Sequence, residues 1–257
     1  ELSARGAHVF VACRSAARAQ AALATMRPHS GGPPPEALAL DLGDFASVRH
    51  CAQAFLARGL PLHLLINNAG LASARGTTRS GFELAFGVNH MGHFLLTQLL
   101  LDRIKASAPA RIVTVASKAH YRAGGLDWSA LRQRTATWSG FPEYCVSKLA
   151  NVLFSAELAR RLAGSGITTY ALHPGVVASD VWRQVPWPLR WLIKRRMLST
   201  DDGARTSLYC ATAPEVADAS GLYYDNCLPK EPSRAAQDAA LAAELWQRSE
   251  GWLHAAA

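Results

Sequence analysis

Short runs of consecutive apolar residues alternate along this chain with longer stretches whose apolar positions recur every three or four residues. The first pattern suits strands buried on both faces, and the second suits helices with one face toward a core. Residues 7–13 (AHVFVAC) predict a buried strand and residues 15–26 a helix, with a loop at 29–35 (HSGGPPP). A strand over 37–42, a helix over 45–58 and a strand over 62–66 come next, the last running into Asn67-Asn68-Ala69-Gly70. A long helix is predicted over 80–107, a strand over 110–116, a helix over 142–163 and a strand over 167–172. Strands separated by helices imply parallel pairing. The predicted fold is a doubly wound, three-layer α/β/α sheet built as one domain. Such sheets bind ligands beyond the carboxyl ends of their strands, where Arg14, Asp41, Asn68, Ser117 and Pro174 all fall.

Composition narrows this picture. The 257 residues suffice for one sizeable core. The balance of 27 Lys+Arg against 19 Asp+Glu gives +8, but the basic residues are scattered, with one cluster at Lys194-Arg195-Arg196. That pattern gives little support to a nucleic-acid partner. The 5 cysteines lie far apart without a C-x-x-C pair, which suits a reducing, cytoplasmic setting and neither a disulfide framework nor a zinc site. The most apolar run, 94–101, is interrupted by Thr97 and Gln98 and is too short to span a bilayer.

The candidate chemistry centres on Tyr144 and Lys148, with Ser117 upstream. Residues four apart project from the same face of a helix. A free phenol, with a pKa of about 10, is a weak acid at neutral pH. A nearby cation favours the phenolate, so Lys148 is expected to lower the Tyr144 pKa. Taken alone, the Tyr-x-x-x-Lys spacing is as readily a feature of any amphipathic helix. Its company decides the reading.

Asp41-Leu42, Asn67-Asn68-Ala69-Gly70, Val88-Asn89-His90-Met91-Gly92, Ser117, Tyr144-x-x-x-Lys148 and Pro174-Gly175 occur in the order found in the short-chain dehydrogenases/reductases, which this chain resembles along essentially its whole length. The wording AHVFVACRS, VNHMGHFLLTQLLL, YCVSKLANVLF and HPGVV is similar to the retinol-dehydrogenase-like branch. One departure stands out. That family opens with a strand and a T-G-x-x-x-G-I-G turn that receives the pyrophosphate. Here ELSARGAHV resembles the tail of the helix following that turn. The resemblance therefore implies an N-terminally incomplete domain, with natural loss of dinucleotide binding as the other reading.

The resemblance implies a role for each matching position. Ser117 would steady a carbonyl oxygen, Tyr144 would exchange its proton, Lys148 would bond the nicotinamide ribose, and Asn89 would complete the catalytic set through a bound water. Asn89 also reads as a polar helix residue bonding locally. Arg14 follows Cys13 at the position where an acidic residue would select NAD, so a guanidinium there implies NADP(H), with NAD(H) the lesser expectation and a plain surface arginine the alternative. Asp41, with Leu42 beside it, would face the adenine, or else serve a helix N-terminus. Asn68, Ala69 and Gly70 would lie against the adenosine ribose. Pro174, Gly175, Val177 and Ser179 would flank the nicotinamide side. His90, His93, His120 and His173 lack the carboxylates or thiols of a metal set and are read as structural. No G-x-S-x-G elbow suggests a hydrolase.

Residues 181–198 (VWRQVPWPLRWLIKRRML) carry Trp182, Trp187 and Trp191 among basic residues. In the family that region covers the substrate, and three indoles suit an apolar carbonyl or alcohol such as a retinoid, steroid or lipid aldehyde. The composition also suits contact with an anionic membrane surface, or a core-packing helix. Relatives imply a homodimer or homotetramer. Two functions thus stand from the sequence: an oxidoreductase on an alcohol/carbonyl pair, and a non-catalytic binding or regulatory relative.

Overall fold

The computed structural model describes residues 1–175 and 200–255. In chain order these form β1 (Phe10–Cys13), α1 (Ala16–Met26), β2 (Glu36–Ala39), α2 (Phe45–Leu56), β3 (Leu64–Asn67), α3 (Leu84–Phe86), a π turn (Gly87–Met91) and α4 (Gly92–Lys105). They continue with β4 (Ala110–Val115), α5 (Phe141–Arg161), β5 (Ile167–His173), α6 (Thr200–Thr212), β6 (Leu222–Asp225), β7 (Leu228–Pro229) and α7 (Ala239–His254).

The strands pair in parallel, as their apolar runs predict. β1 pairs with β2, and β3-β4-β5-β6-β7 form a second sheet whose last pair alone is antiparallel. Alternation along the central strands shows why the architecture has three layers. Ile112 of β4 and Ile167 and Ala171 of β5 join one buried cluster with helices α2, α4, α5 and α7. Val113 and Val115, with Tyr170 and Leu172, join a second cluster that includes Cys210 and Ala211 of α6. Each strand is therefore apolar on both faces because helices cover both. The outer edges of β1 and β3 bound a cleft of about 2020 Å³ whose wall includes Phe10, Ala12, Leu64 and Ile66. The same cleft runs on past Tyr144.

Local chemistry sets the helix boundaries. Ser15 and Asp44 cap α1 and α2, their side-chain oxygens accepting from Arg18 N and Ala46 N. The helix predicted from residue 80 begins at Leu84. Thr78 explains the difference: its amide donates to Phe82 O (2.8 Å) and its hydroxyl accepts from Phe82 N (3.1 Å), closing a turn. Glu83 then caps α3 through Phe86 N (2.8 Å). The helix widens to a π turn over Gly87–Met91, a feature often found at functional sites.

The entry to α5 is unusually well fixed. Glu143 accepts from Ala136 N (3.0 Å), Thr137 N (2.8 Å) and the Thr137 hydroxyl (2.5 Å). Gly140 has φ +61°, and a Cβ there would lie 2.7 Å from Ala74 O, so both conformation and space require glycine. On its far side α5 packs against α7, where Phe154 and Trp246 stack at 5.9 Å. Among the described residues no helix is long and apolar enough to cross a membrane. Residues 181–198, with Val177 and Ser179, lie outside the described residues.

Candidate active site

Ser117, Tyr144 and Lys148 line one wall of the cleft, together with Asn68, Ala69, Gly70, Asp41, Arg14, Pro174 and Gly175. Two elements, β4 and α5, bring the first three together. Ser117 lies just past the end of β4 in extended conformation and caps the short helical turn after it, its hydroxyl accepting from Ala119 N (3.2 Å). Tyr144 and Lys148 sit one turn apart in α5, with Lys148 Nζ 5.8 Å from the phenol ring centre. Tyr144 and Ser117 border the same cleft, and the Ser117 side chain acts on the phenol to lower its pKa.

The electrostatics differ from expectation at Tyr144. Burial pushes its phenol above the ordinary value, and the Ser117 side chain only partly offsets this. Lys148 does not lower it in this structure. Instead Lys148 is itself buried, and desolvation lowers its pKa to about 8. Its ammonium donates to Val115 O (2.8 Å), which also accepts from Asn151 Nδ2 (3.3 Å).

Asn89 lies in the π turn and is fully buried. Its amide donates to Leu71 O (2.9 Å) and Ser147 Oγ (2.9 Å), and its Oδ1 accepts from Leu71 N (2.9 Å). Ser147 in turn donates to Tyr144 O (2.8 Å). The side chain of Asn89 thus ties the Leu71 backbone to the Tyr144 helix, which is the local-bonding role open from the sequence.

Other positions sort cleanly. Asp41 accepts from Gly43 N (3.0 Å), a local turn bond, while still bordering the cleft. Leu42 does not line the cleft; its side chain is buried in the main core cluster. Arg14 is exposed at the cleft wall. Gly70 is the tightest spot: a Cβ would come within 3.0 Å of Asn89 Oδ1 and 3.6 Å of Lys148 Nζ. A bare backbone there leaves room for a ligand to approach these two groups. The open wall of Asn68–Gly70 and the exposed guanidinium of Arg14 fit a nicotinamide dinucleotide.

Three of the four histidines read as structural have a hydrogen-bond partner in the fold. His90 Nε2 meets Ser249 Oγ (3.1 Å), His93 Nε2 donates to Ala69 O (2.8 Å), and His120 Nδ1 donates to Ser117 O (2.7 Å). Burial lowers the pKa values of His90 and His93 to about 3 and about 4. Among the described residues no group of three ligating side chains surrounds a metal position.

Ser147 and Asn151 are site residues that motif reading passed over. Tyr144, Ser147, Lys148 and Asn151 fall at i, i+3, i+4 and i+7, a polar stripe on one face of α5. Ser147, Lys148 and Asn151 are all buried. A polar stripe on the inward face of a core helix is a signal legible in sequence.

Comparison with known proteins agrees with this geometry. The family model for short chain dehydrogenase matches residues 1–187. Human retinol dehydrogenase 12 is 44% identical over 97% of this chain and 79% of its own length. Bovine dehydrogenase/reductase SDR family member 13 is 46% identical over 97% of the chain and 67% of its own. Among solved structures, an uncharacterized protein from Mycobacterium Paratuberculosis superposes with TM-score 0.75 at 35% identity, covering 98% of this chain and 86% of its own. The RhlG/NADP complex of Pseudomonas aeruginosa superposes with TM-score 0.68 at 26% identity, covering 87% and 86%.

Proposed function

Because the chain belongs to the short-chain dehydrogenase/reductase family and is an oxidoreductase of the CH–OH/carbonyl pair, we propose that it uses NADP(H) on an apolar substrate, with Ser117, Tyr144 and Lys148 as its catalytic groups. The observation that carries the reading is the pair of hydroxyls, Tyr144 and Ser117, lining one cleft beside a buried lysine. A bound nicotinamide supplies the hydride. The chain's own residues handle the oxygen and its proton.

In the reductive direction the carbonyl oxygen sits between Ser117 and Tyr144. Ser117 Oγ donates a hydrogen bond that fixes its position. Tyr144 gives its proton as negative charge develops on that oxygen. The raised pKa of Tyr144 matches this direction, since the phenol stays protonated at neutral pH. Lys148, with a pKa of about 8, remains largely charged at pH 7 and borders the cleft beside Tyr144, where it would bond the ribose of the nicotinamide. Asn89, through Ser147, holds the turn of α5 that carries Tyr144.

Arg14 supports NADP(H) over NAD(H), because a guanidinium at that wall suits a phosphate and would not accept from ribose hydroxyls. The named substrates of the retinol dehydrogenases support an apolar alcohol or aldehyde for this chain as well. Pairing of subunits through α4 and α5, and contact of the 181–198 segment with a membrane surface in the cytoplasm, belong to the same proposal. The non-catalytic alternative is not favoured, since the proton-transfer set is present and the relatives are dehydrogenases.

The test is a fluorescence titration of NADPH with NADH in parallel, on the chain and on a form carrying a family-type first strand and glycine turn upstream. Preference for NADPH that Arg14→Asp reverses by about tenfold, or ~1.4 kcal/mol, is the expected result. An unchanged preference would refute the role of Arg14.

A further inference from the structure

We infer that His120 is a positioning residue for Ser117, holding the hydroxyl-bearing turn against a strap of chain more than 100 residues downstream. The inference rests on the reading of Ser117 as the hydroxyl that steadies the carbonyl oxygen. It concerns how that hydroxyl is kept in place.

The partners of His120 fix its state without ambiguity. A peptide carbonyl only accepts, so Nδ1, 2.7 Å from Ser117 O, must carry the proton. A peptide N–H only donates, so Nε2, 3.1 Å from Ser233 N, must be bare. The imidazole is therefore neutral and in one tautomer, bridging the backbone of Ser117 to that of Ser233, which lies 113 residues beyond the ring. It is fully buried, with Tyr121 and Tyr223 rings at 4.1 and 4.8 Å. A ring bonded on both edges and packed between two phenols has one orientation. Ser117 O then has one place to sit.

The strap is held at a second point. Tyr121, next to His120, donates to Glu231 O (2.5 Å). Gln237 closes the strap on itself through Glu231 Oε1 (3.2 Å) and Pro232 O (2.9 Å). Beyond it, Asp238 caps α7, the helix whose Trp246 stacks on Phe154 of α5. The C-terminal segment thus grips both halves of the proton-transfer pair: the Ser117 turn through His120, and the Tyr144 helix through Trp246. Neither grip touches substrate. Misplacement of a reacting group by about 1 Å can cost on the order of 10²-fold, so such grips have kinetic weight.

Four variants test this. His120→Phe keeps a ring and loses both hydrogen bonds. His120→Asn keeps an N–H donor near the Nδ1 position. Ser233→Pro removes the strap's N–H where φ is already −59°. Ser233→Ala keeps that N–H and loses only the side-chain cap on Ala236 N (3.3 Å). Readouts are kcat, KM and NADPH Kd with an apolar aldehyde, and hydrogen exchange over residues 117–123.

His120→Phe is expected to lower kcat by about 10- to 100-fold with NADPH Kd nearly unchanged, and to speed exchange at Ala119. His120→Asn should restore much of that loss, and Ser233→Pro should lose more than Ser233→Ala. Unchanged kcat and exchange in His120→Phe would overturn the inference. So would a loss shared equally by kcat and cofactor affinity, or no recovery in His120→Asn. If the parent protein turns over no carbonyl, the catalytic reading fails by itself. Exchange at Ala119 then decides the His120 clamp alone: faster exchange in His120→Phe upholds it and unchanged exchange rejects it.

Discussion

Mild acid should destabilise this fold through histidines held neutral, and His93 shows how much. Its ring is buried, with Nε2 donating to Ala69 O at 2.8 Å in the turn that forms the cleft wall. Burial, aided by the nearby Lys148 charge, lowers its pKa from 6.5 to about 4. The unfolded chain therefore takes up a proton as pH falls through 6.5, while the folded chain resists until about 4. Stability is complete above the unfolded value and drains away across that window. At about pH 5 the unfolded histidine is almost wholly charged and the folded one about a tenth charged, a difference of roughly 2 kcal/mol. That is a large share of the roughly 5–15 kcal/mol that holds a typical domain together. The assay is urea unfolding monitored by far-ultraviolet circular dichroism, at steps from about pH 7.5 to about pH 5. His93→Gln retains an N–H donor for Ala69 O but does not titrate. Its loss of stability over that range should be smaller than the parent's by about 2 kcal/mol. If the two proteins lose stability in parallel, His93 is not held neutral as described. His90 and His173, lowered to about 3 and about 4, would sustain the remaining slope.

Three further outcomes are expected. Gly70→Ala places a methyl 3.0 Å from Asn89 Oδ1 and 3.6 Å from Lys148 Nζ, so NADPH affinity by fluorescence titration should fall sharply while circular dichroism stays that of the parent. Lys148 has a folded pKa of about 8 against 10.5 unfolded, so the folded state binds fewer protons between those values. Stability should rise across that interval by up to roughly 3 kcal/mol, and Lys148→Met should flatten the rise in pH-stepped urea unfolding. Phe154→Ala removes a ring packed among His90, Phe94 and Trp246, and should cost about 3–5 kcal/mol in the same assay.

How far the fold and site are legible in sequence depends on the range of the interaction. β4 and β5 can be read because a strand covered on both faces must be apolar almost without interruption, and 110–116 and 167–172 are nearly so. The α3 boundary cannot, because Thr78 closes a turn through its own hydroxyl and hides the break inside a helix-like pattern. In α7, Ala242, Leu245, Trp246 and Ser249 show helical spacing, so the signal is present though it belongs to no motif. The cleft wall is legible as residues just past strand ends, whereas the burial of Leu42 depends on how neighbouring elements pack. Tyr144 marks the clearest limit. Its spacing from Lys148 is visible in sequence, but the sign of its pKa shift is set by desolvation, which exists only once the chain is folded. The His120–Ser233 bond has no local signature, since it joins residues 113 apart.

The central claim is that Tyr144 delivers the proton while a nicotinamide delivers hydride to an apolar carbonyl. The direct measurement uses NADPH deuterated at the transferred position, all-trans-retinal as substrate, and mass analysis of the alcohol formed. Deuterium on the carbinol carbon, with the rate cut by about 10²–10⁴-fold in Tyr144→Phe at unchanged NADPH affinity, is the predicted result. An unlabelled alcohol, or substantial turnover by Tyr144→Phe, would contradict it.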